Sequence, residues 1–262
     1  MSNNFEQARP LHIIFPKQTR LKDAFEPIAE AAGLMITRNK KRHAFGTCQD
    51  ITGQINPFEA SIKKPGVMFR KLIEGRADMA IIGLDKYIEE YCRAKDAGEN
   101  IQTRISATFN CAACGMYVAA AIDNEINSAQ DLKGLKIATS YPYSLKYWLK
   151  SKGIEEFEII ECDGDTEDEI RDGSADAIFE IVDSGQSLRD NDLERKIKAY
   201  DVHATLIEHA ALQNGDNSLI ADQVRARLIK AADELRGNSQ SEPKEKAPSR
   251  TDYADFLIPK VA

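Results

Sequence analysis

Apolar positions along this chain keep two rhythms. Short aliphatic or β-branched runs closed by glycine, proline or small polar residues recur at Leu11–Phe15, Leu34–Ile36, Asp78–Gly83, Leu135–Thr139, Phe157–Ile160 and Ala177–Val182, and read as strands. Between them, apolar residues fall three and four apart. Leu21, Phe25, Ile28, Ala29 and Ala32 share a helical face that Gly33 ends. Val67–Arg76, Asp85–Ala94, Tyr143–Lys152 and Leu219–Leu235 read as further helices, and Ser128–Leu132 as a short one. Ile101–Ala121 predicts two strand-like runs, Thr103–Phe109 and Met116–Ala121; Lys196–Tyr200 and Ala204–Glu208 predict two more. Thr37–Lys64 holds neither rhythm and reads as basic and irregular. Strands alternating with helices define an α/β protein. The expected division is a first lobe from 1–104 and 197–236, a second from 105–196 with a cleft between them, and a flexible linker and tail over 237–262.

Composition narrows the class without choosing the chemistry. The chain has 262 residues, 42% hydrophobic and 29% charged, with a net charge of -7. An acidic balance argues against general nucleic-acid binding but leaves room for phosphorylated metabolites in a local cationic pocket. No run approaches the roughly 18 apolar residues of a membrane span, and the first residues lack the pattern of a secretory signal. Cys48, Cys92, Cys111, Cys114 and Cys162 form no disulfide framework, so the expected compartment is a reducing cytoplasm.

The densest chemistry lies at Ala175-Asp-Ala-Ile-Phe-Glu-Ile-Val-Asp-Ser-Gly-Gln-Ser-Leu188. A strand interrupted by Glu180 runs into Asp183, Ser184, Gly185, Gln186 and Ser187. Such a turn points backbone N–H groups and two hydroxyls one way, and Gly185 lets the backbone approach a phosphate. An ordinary connection capped by Ser184 or Ser187 has the same composition. Lys17 and Arg20 follow the first strand, where open sheets bind ligands; they suit an anion or a solvated basic turn equally. Arg38, Lys40, Lys41, Arg42 and His43 form a basic patch open to polyphosphate or to solvent. Cys111-Ala-Ala-Cys114 has zinc-like spacing without a second ligand pair, so buried thiols are expected there. The acidic run Asp163–Glu169 suits Mg²⁺, ribose hydroxyls, or a helix start.

Together these motifs resemble ATP phosphoribosyltransferase, the first enzyme of histidine biosynthesis. Leu132-Lys-Gly-Leu-Lys-Ile-Ala-Thr-Ser-Tyr-Pro142 resembles that family's D-L-x-G-x-R-I-A-T-x-Y-P, Asp163–Glu167 its G-S-V-E turn, and Ala175–Leu188 its A-D-A-I-x-D-x-V-S-T-G-x-T-L loop for phosphoribosyl pyrophosphate (PRPP). Pro16-Lys17 with Arg20-Leu21, and Gly75-x-x-Asp78-x-x-Ile81-x-Gly83, match its N-terminal signatures. The resemblance implies two lobes of the periplasmic-binding-protein-like type and transfer of phosphoribose from PRPP to N1 of ATP, with Mg²⁺ on the pyrophosphate. It implies that Asp183, Ser184, Gly185, Gln186, Ser187 and Leu188 cradle the 5-phosphate, with Asp176 and Glu167 near the ribose and loop. Lys17 and Arg20 would face pyrophosphate or triphosphate; Ser140, Tyr141 and Gly83 would line the cleft on the nucleotide side. No metal-ligating residue of the protein is assigned.

The sequence departs from the family at Gln18-Thr19, at Ile62–Pro65, and at Gly115, which aligns with a common arginine. These departures leave an acceptor other than ATP open, another nitrogenous base or nucleotide. A non-catalytic ligand-binding or regulatory homologue is the alternative from a different class. The resemblance is to the short form of the family, which relies on a separate regulatory subunit. Self-association is expected, and neither nucleic acid nor membrane is an expected partner.

Overall fold

The computed structural model describes residues 9–17, 19–38, 44–49 and 55–238. In chain order the strands and helices are β1 (His12–Pro16), α1 (Thr19–Ala31), β2 (Leu34–Arg38), β3 (Ala44–Gln49), β4 (Ile55–Lys63), α2 (Pro65–Ile73), β5 (Met79–Gly83) and α3 (Leu84–Asp96). Then come β6 (Thr103–Ala121), β7 (Lys136–Thr139), α4 (Pro142–Ser151), β8 (Glu158–Glu161), α5 (Thr166–Arg171), β9 (Ala177–Val182), α6 (Gln186–Asp190), β10 (Leu193–His209) and α7 (Ser218–Asn238). The hydrogen-bonded strand order is β2-β3-β4-β1-β5-β10-β6-β9-β7-β8. The described residues form two compact units, one from within 9–83, 100–112 and 204–238, the other from 84–99 and 113–203.

In the first unit β1 runs parallel to β4, His12 opposite Glu59, and to β5, Ile13 opposite Met79. The outer half of β10 pairs antiparallel with β5, Ala204 opposite Gly83. Residues Leu11, Ile13, Phe25, Ile28, Phe58, Met79, Ile81, Phe109, Leu206, Val224 and Leu228 form its core. Burying side chains of this size contributes about 1.5–3 kcal/mol each. Glu208, wholly buried, is clamped by Arg104 at 2.7 Å and Arg225 at 2.7 Å, which ties β6, β10 and α7 together.

The expected irregular stretch is instead an antiparallel meander. β3 pairs with β2 and β4, Gly46 lying opposite Phe58. Period-two burial is present in β4, with Phe58 and Ala60 inward, but Pro57 argues against a strand and disguises it. Phe58's ring covers Gly46, where any Cβ would run into it. Most of the basic patch, Lys40–His43, lies outside the described residues. Two further expectations merge: β6 and β10 are each continuous, 19 and 17 residues long. Ala112, at φ 51, puts a left-handed residue into β6 where the sequence suggests a break.

In the second unit β9 pairs antiparallel with β6, Gly115 opposite Val182, and parallel with β7, Ile137 opposite Ala177. β7 runs parallel with β8. Ala119, Ala138, Ile178, Val182, Leu188 and Leu193 pack together, and Trp148 lies 5.7 Å from Phe179 between ring centroids. Helix α3 belongs to this unit, not to the first as its place in the sequence suggests. The reason is chemical: Glu89 accepts the N–H groups of Tyr143 at 3.1 Å and Ser144 at 2.7 Å, orphan donors in the first turn of α4. The expected linker and tail, beyond Asn238, lie outside the described residues.

Candidate active site

Three parallel strands of the second unit, β8, β7 and β9, end side by side, and the carboxyl edge of a parallel sheet is where such folds bind ligands. Each strand is followed by a turn into a helix. The three turns are hydrogen-bonded to one another. Glu180, near the end of β9, accepts from the Ser140 N–H at 2.8 Å in the turn after β7. Ser140 Oγ accepts from the Gly164 N–H at 3.2 Å in the turn after β8. Glu167, in the first turn of α5, accepts from Ser187 Oγ in the turn after β9. The acidic turn and the small-residue turn that the sequence singles out separately therefore form one assembly.

The turn after β9 is built around Gly185, at φ 73 and ψ 17. A side chain is strained at that φ, and only glycine adopts it freely. Ser184 Oγ accepts from the Gln186 N–H at 3.2 Å, which fixes the direction of the following amides. Leu188 is buried and anchors the turn to the unit's core, while Asp183, Ser184, Gln186 and Ser187 are exposed. Arg195, from β10, donates to the Asp183 carbonyl at 2.7 Å; Arg189, in α6, donates to the Ser184 carbonyl at 3.1 Å and to Gln186 Oε1 at 2.9 Å. The sequence reading missed both arginines and passed over Glu180 as a mere interruption. Arg189 directly follows the motif and could have been noticed; Arg195 arrives only because β10 folds back beside β6.

Burial raises the Glu180 carboxyl above the ordinary carboxylate range, against the opposing pull of the Ser140 N–H. Asp85 and Glu89 are raised by burial as well. Among the described residues no three His, Cys, Asp or Glu side chains converge to hold a metal by themselves.

Asp176 and Tyr141, also expected at the site, make structural bonds within the second unit. Asp176 is at the opposite end of β9 from Gly185, about 20 Å along a strand rising about 3.3 Å per residue. Its carboxylate accepts from the Lys136 N–H at 2.8 Å and stitches β9 to β7. Tyr141 is buried: its hydroxyl donates to Asp85 at 2.9 Å, and Lys86 Nζ covers its ring at 3.8 Å from the centroid. Burial and Asp85 push its phenol far up, so it supports α4 from within. Lys17, Arg20 and Gly83 belong to the first unit. Lys17 is exposed after β1, its N–H bonded to the Lys63 carbonyl at 3.1 Å; Arg20 donates to the Ala112 carbonyl at 3.5 Å; Gly83 closes β5 opposite Ala204. Gln18 lies outside the described residues. Cys111 and Cys114 are half-buried rather than buried, and burial pushes the Cys111 thiol up to about 11.

These two α/β units have the fold of periplasmic binding proteins. The sulphonate-binding protein SsuA from Escherichia coli superposes with a TM-score of 0.53 at 14% identity, over 87% of this chain and 74% of that one. A putative periplasmic sulfonate-binding SsuA from Methylobacillus flagellatus KT gives 0.55 at 14%, over 86% and 68%. The ATP phosphoribosyl transferase (HisG:HisZ) complex from Thermotoga maritima gives 0.65 at 17% identity, over 86% of this chain and 99% of that one. Within this fold class, a family model for HisG, ATP phosphoribosyltransferase, matches residues 65–230. The chain belongs to the ATP phosphoribosyltransferase (HisG) family, the phosphoribosyltransferases of histidine biosynthesis. No helix among the described residues is long and apolar enough to cross a membrane.

Proposed function

We propose that the chain transfers the phosphoribosyl group of PRPP to N1 of the adenine of ATP and releases pyrophosphate. The observation that carries this reading is the Asp183–Ser187 turn, with Gly185 left-handed at the carboxyl end of β9 and bonded through Ser187 to Glu167. An N–H-lined turn of this kind suits the 5-phosphate, and Glu167 is placed beside it to meet the ribose. In the reaction the N1 lone pair bonds to C1 of the ribose as the C1–O bond breaks, and the pyrophosphate leaves with the electron pair. N1 already carries a free pair, so no strong general base is required. Catalysis then consists of positioning and of cations at the leaving group, the roles assigned to Lys17 and Arg20. Mg²⁺ would ride on the pyrophosphate oxygens, shielding their charge. A cation bound that way needs only one or two carboxylates, which fits Asp163 and Glu167 after β8.

A second reading changes the acceptor. At Gly115 the space a side chain would take is filled by the ring of Tyr117. That packing supports an acceptor site differing from the family pattern. Pyrophosphate release from PRPP with a panel of bases and nucleotides decides: turnover with ATP alone supports the first reading, turnover with another acceptor only supports the second, and none with any acceptor removes both. Likeness to the Thermotoga maritima HisG:HisZ complex supports a separate regulatory subunit. The isolated chain is then insensitive to histidine, and strong inhibition by histidine alone refutes that part.

A further inference from the structure

Two guanidinium groups converge on Gly185. The position its Cβ would take lies 3.2 Å from Arg195 Nη2 and 3.3 Å from Arg189 Nη1. Both nitrogens surround one point, so neither can be farther from the other than the sum of those distances. The protein groups they meet do not neutralise them. Arg195 bonds the Asp183 carbonyl and stacks at 5.1 Å on Tyr117; Arg189 bonds the Ser184 carbonyl and the Gln186 side-chain oxygen. All of these acceptors are uncharged, and each guanidinium has five N–H donors. Gly115 makes the arrangement possible, since any Cβ there would run into the Tyr117 ring that carries Arg195.

Two positive charges held beside one glycine, with neutral acceptors behind them, repel each other unless an anion is shared. A phosphate monoester near neutral pH carries close to two negative charges and three acceptor oxygens, and guanidinium forks match it. We propose that Arg189 and Arg195 clamp the phosphate monoester of the donor, adding charge recognition to the backbone N–H groups of the turn. This rests on the turn being the phosphoribosyl site. The pair selects for the 5-phosphate rather than the pyrophosphate, and one of its members, Arg195, comes from β10, outside the sequence motif.

Calorimetric titration of the full chain with ribose 5-phosphate, inorganic pyrophosphate and PRPP tests the clamp. Arg189→Gln and Arg195→Gln are each expected to weaken ribose 5-phosphate binding roughly tenfold, and the double variant roughly a hundredfold, with pyrophosphate binding unchanged. Arg195→Lys, which keeps the charge but loses the fork, recovers part of the loss. Gly115→Ala keeps both arginines but displaces Tyr117, and weakens ribose 5-phosphate by a smaller factor. Thermal melting confirms that each variant is folded. Should the folded double variant bind ribose 5-phosphate within about twofold of the native chain, or lose pyrophosphate equally, the clamp is refuted. A native chain that binds neither ribose 5-phosphate nor PRPP refutes the turn's assignment itself, before any variant is made.

Discussion

The two units treat a buried carboxylate in opposite ways. In the first, Glu208 is wholly buried and held by two guanidiniums, Arg104 and Arg225, the latter also paired with Asp222 at 2.7 Å. In the second, Asp85, Glu89 and Glu180 sink below the surface with N–H and O–H groups as their hydrogen-bond partners, and burial raises all three. A carboxylate neutralised twice over is a fastening. One held by amides and a phenol, with the single cation Lys86 shared among all three, stays sensitive to its surroundings, which is costly to stability.

Removing the fastening has the largest expected effect. Glu208→Ala leaves Arg104 without its carboxylate and Arg225 with Asp222 alone, and lowers stability by about 3 kcal/mol in urea unfolding; a loss under about 1 kcal/mol would mean the cluster is ornamental to the fold. Gly185→Val forces a β-branched residue to φ 73 against Arg195 and Arg189, and is expected to cut PRPP affinity about a hundredfold by calorimetry while the far-ultraviolet spectrum is preserved. Tyr141→Phe takes the donor from Asp85 and costs about 1–3 kcal/mol of stability. A matching loss of PRPP affinity in that variant would instead return Tyr141 to the site. Because Asp85, Glu89 and Glu180 are raised in the folded chain, it binds more protons than the unfolded chain between their ordinary and raised values. Stability therefore falls as pH rises through that window. Glu180→Gln, whose amide oxygen still accepts from Ser140, flattens this slope above the ordinary carboxylate range; an unchanged slope would show that Glu180 contributes nothing to it. Smallest is Cys111→Ala, expected to leave pyrophosphate release within about twofold, since a half-buried thiol raised by burial is a poor nucleophile.

Local patterning carried much of the architecture. β1, β5, β7 and β9 are short apolar runs with clear ends, and their carboxyl-edge turns could be located from glycine and hydroxyl content alone. The meander was hidden because Pro57 demotes the run as a strand, although Glu59 and Lys63 keep the alternation of β4. β6 and β10 were split because Asn110–Gly115 and Asp201–His203 look like turn or polar breaks, although a strand paired on both sides tolerates them. Two placements in the second unit lay beyond local reading. Asp176 is near Gly185 in sequence, but a six-residue strand carries the two to opposite ends. Arg195 is ten positions from Gly185, and only the return of the chain through β10 brings its guanidinium back, something no local period encodes.

The capping of α4 by α3 bears on how this protein can be dissected. A polypeptide cut to 113–203 would begin α4 with the amides of Tyr143 and Ser144 unmet and Tyr141 deprived of Asp85, so it would start life short of its own buttress. Any chimera that exchanges the second unit between relatives has to carry 84–99 along with it as inseparable luggage.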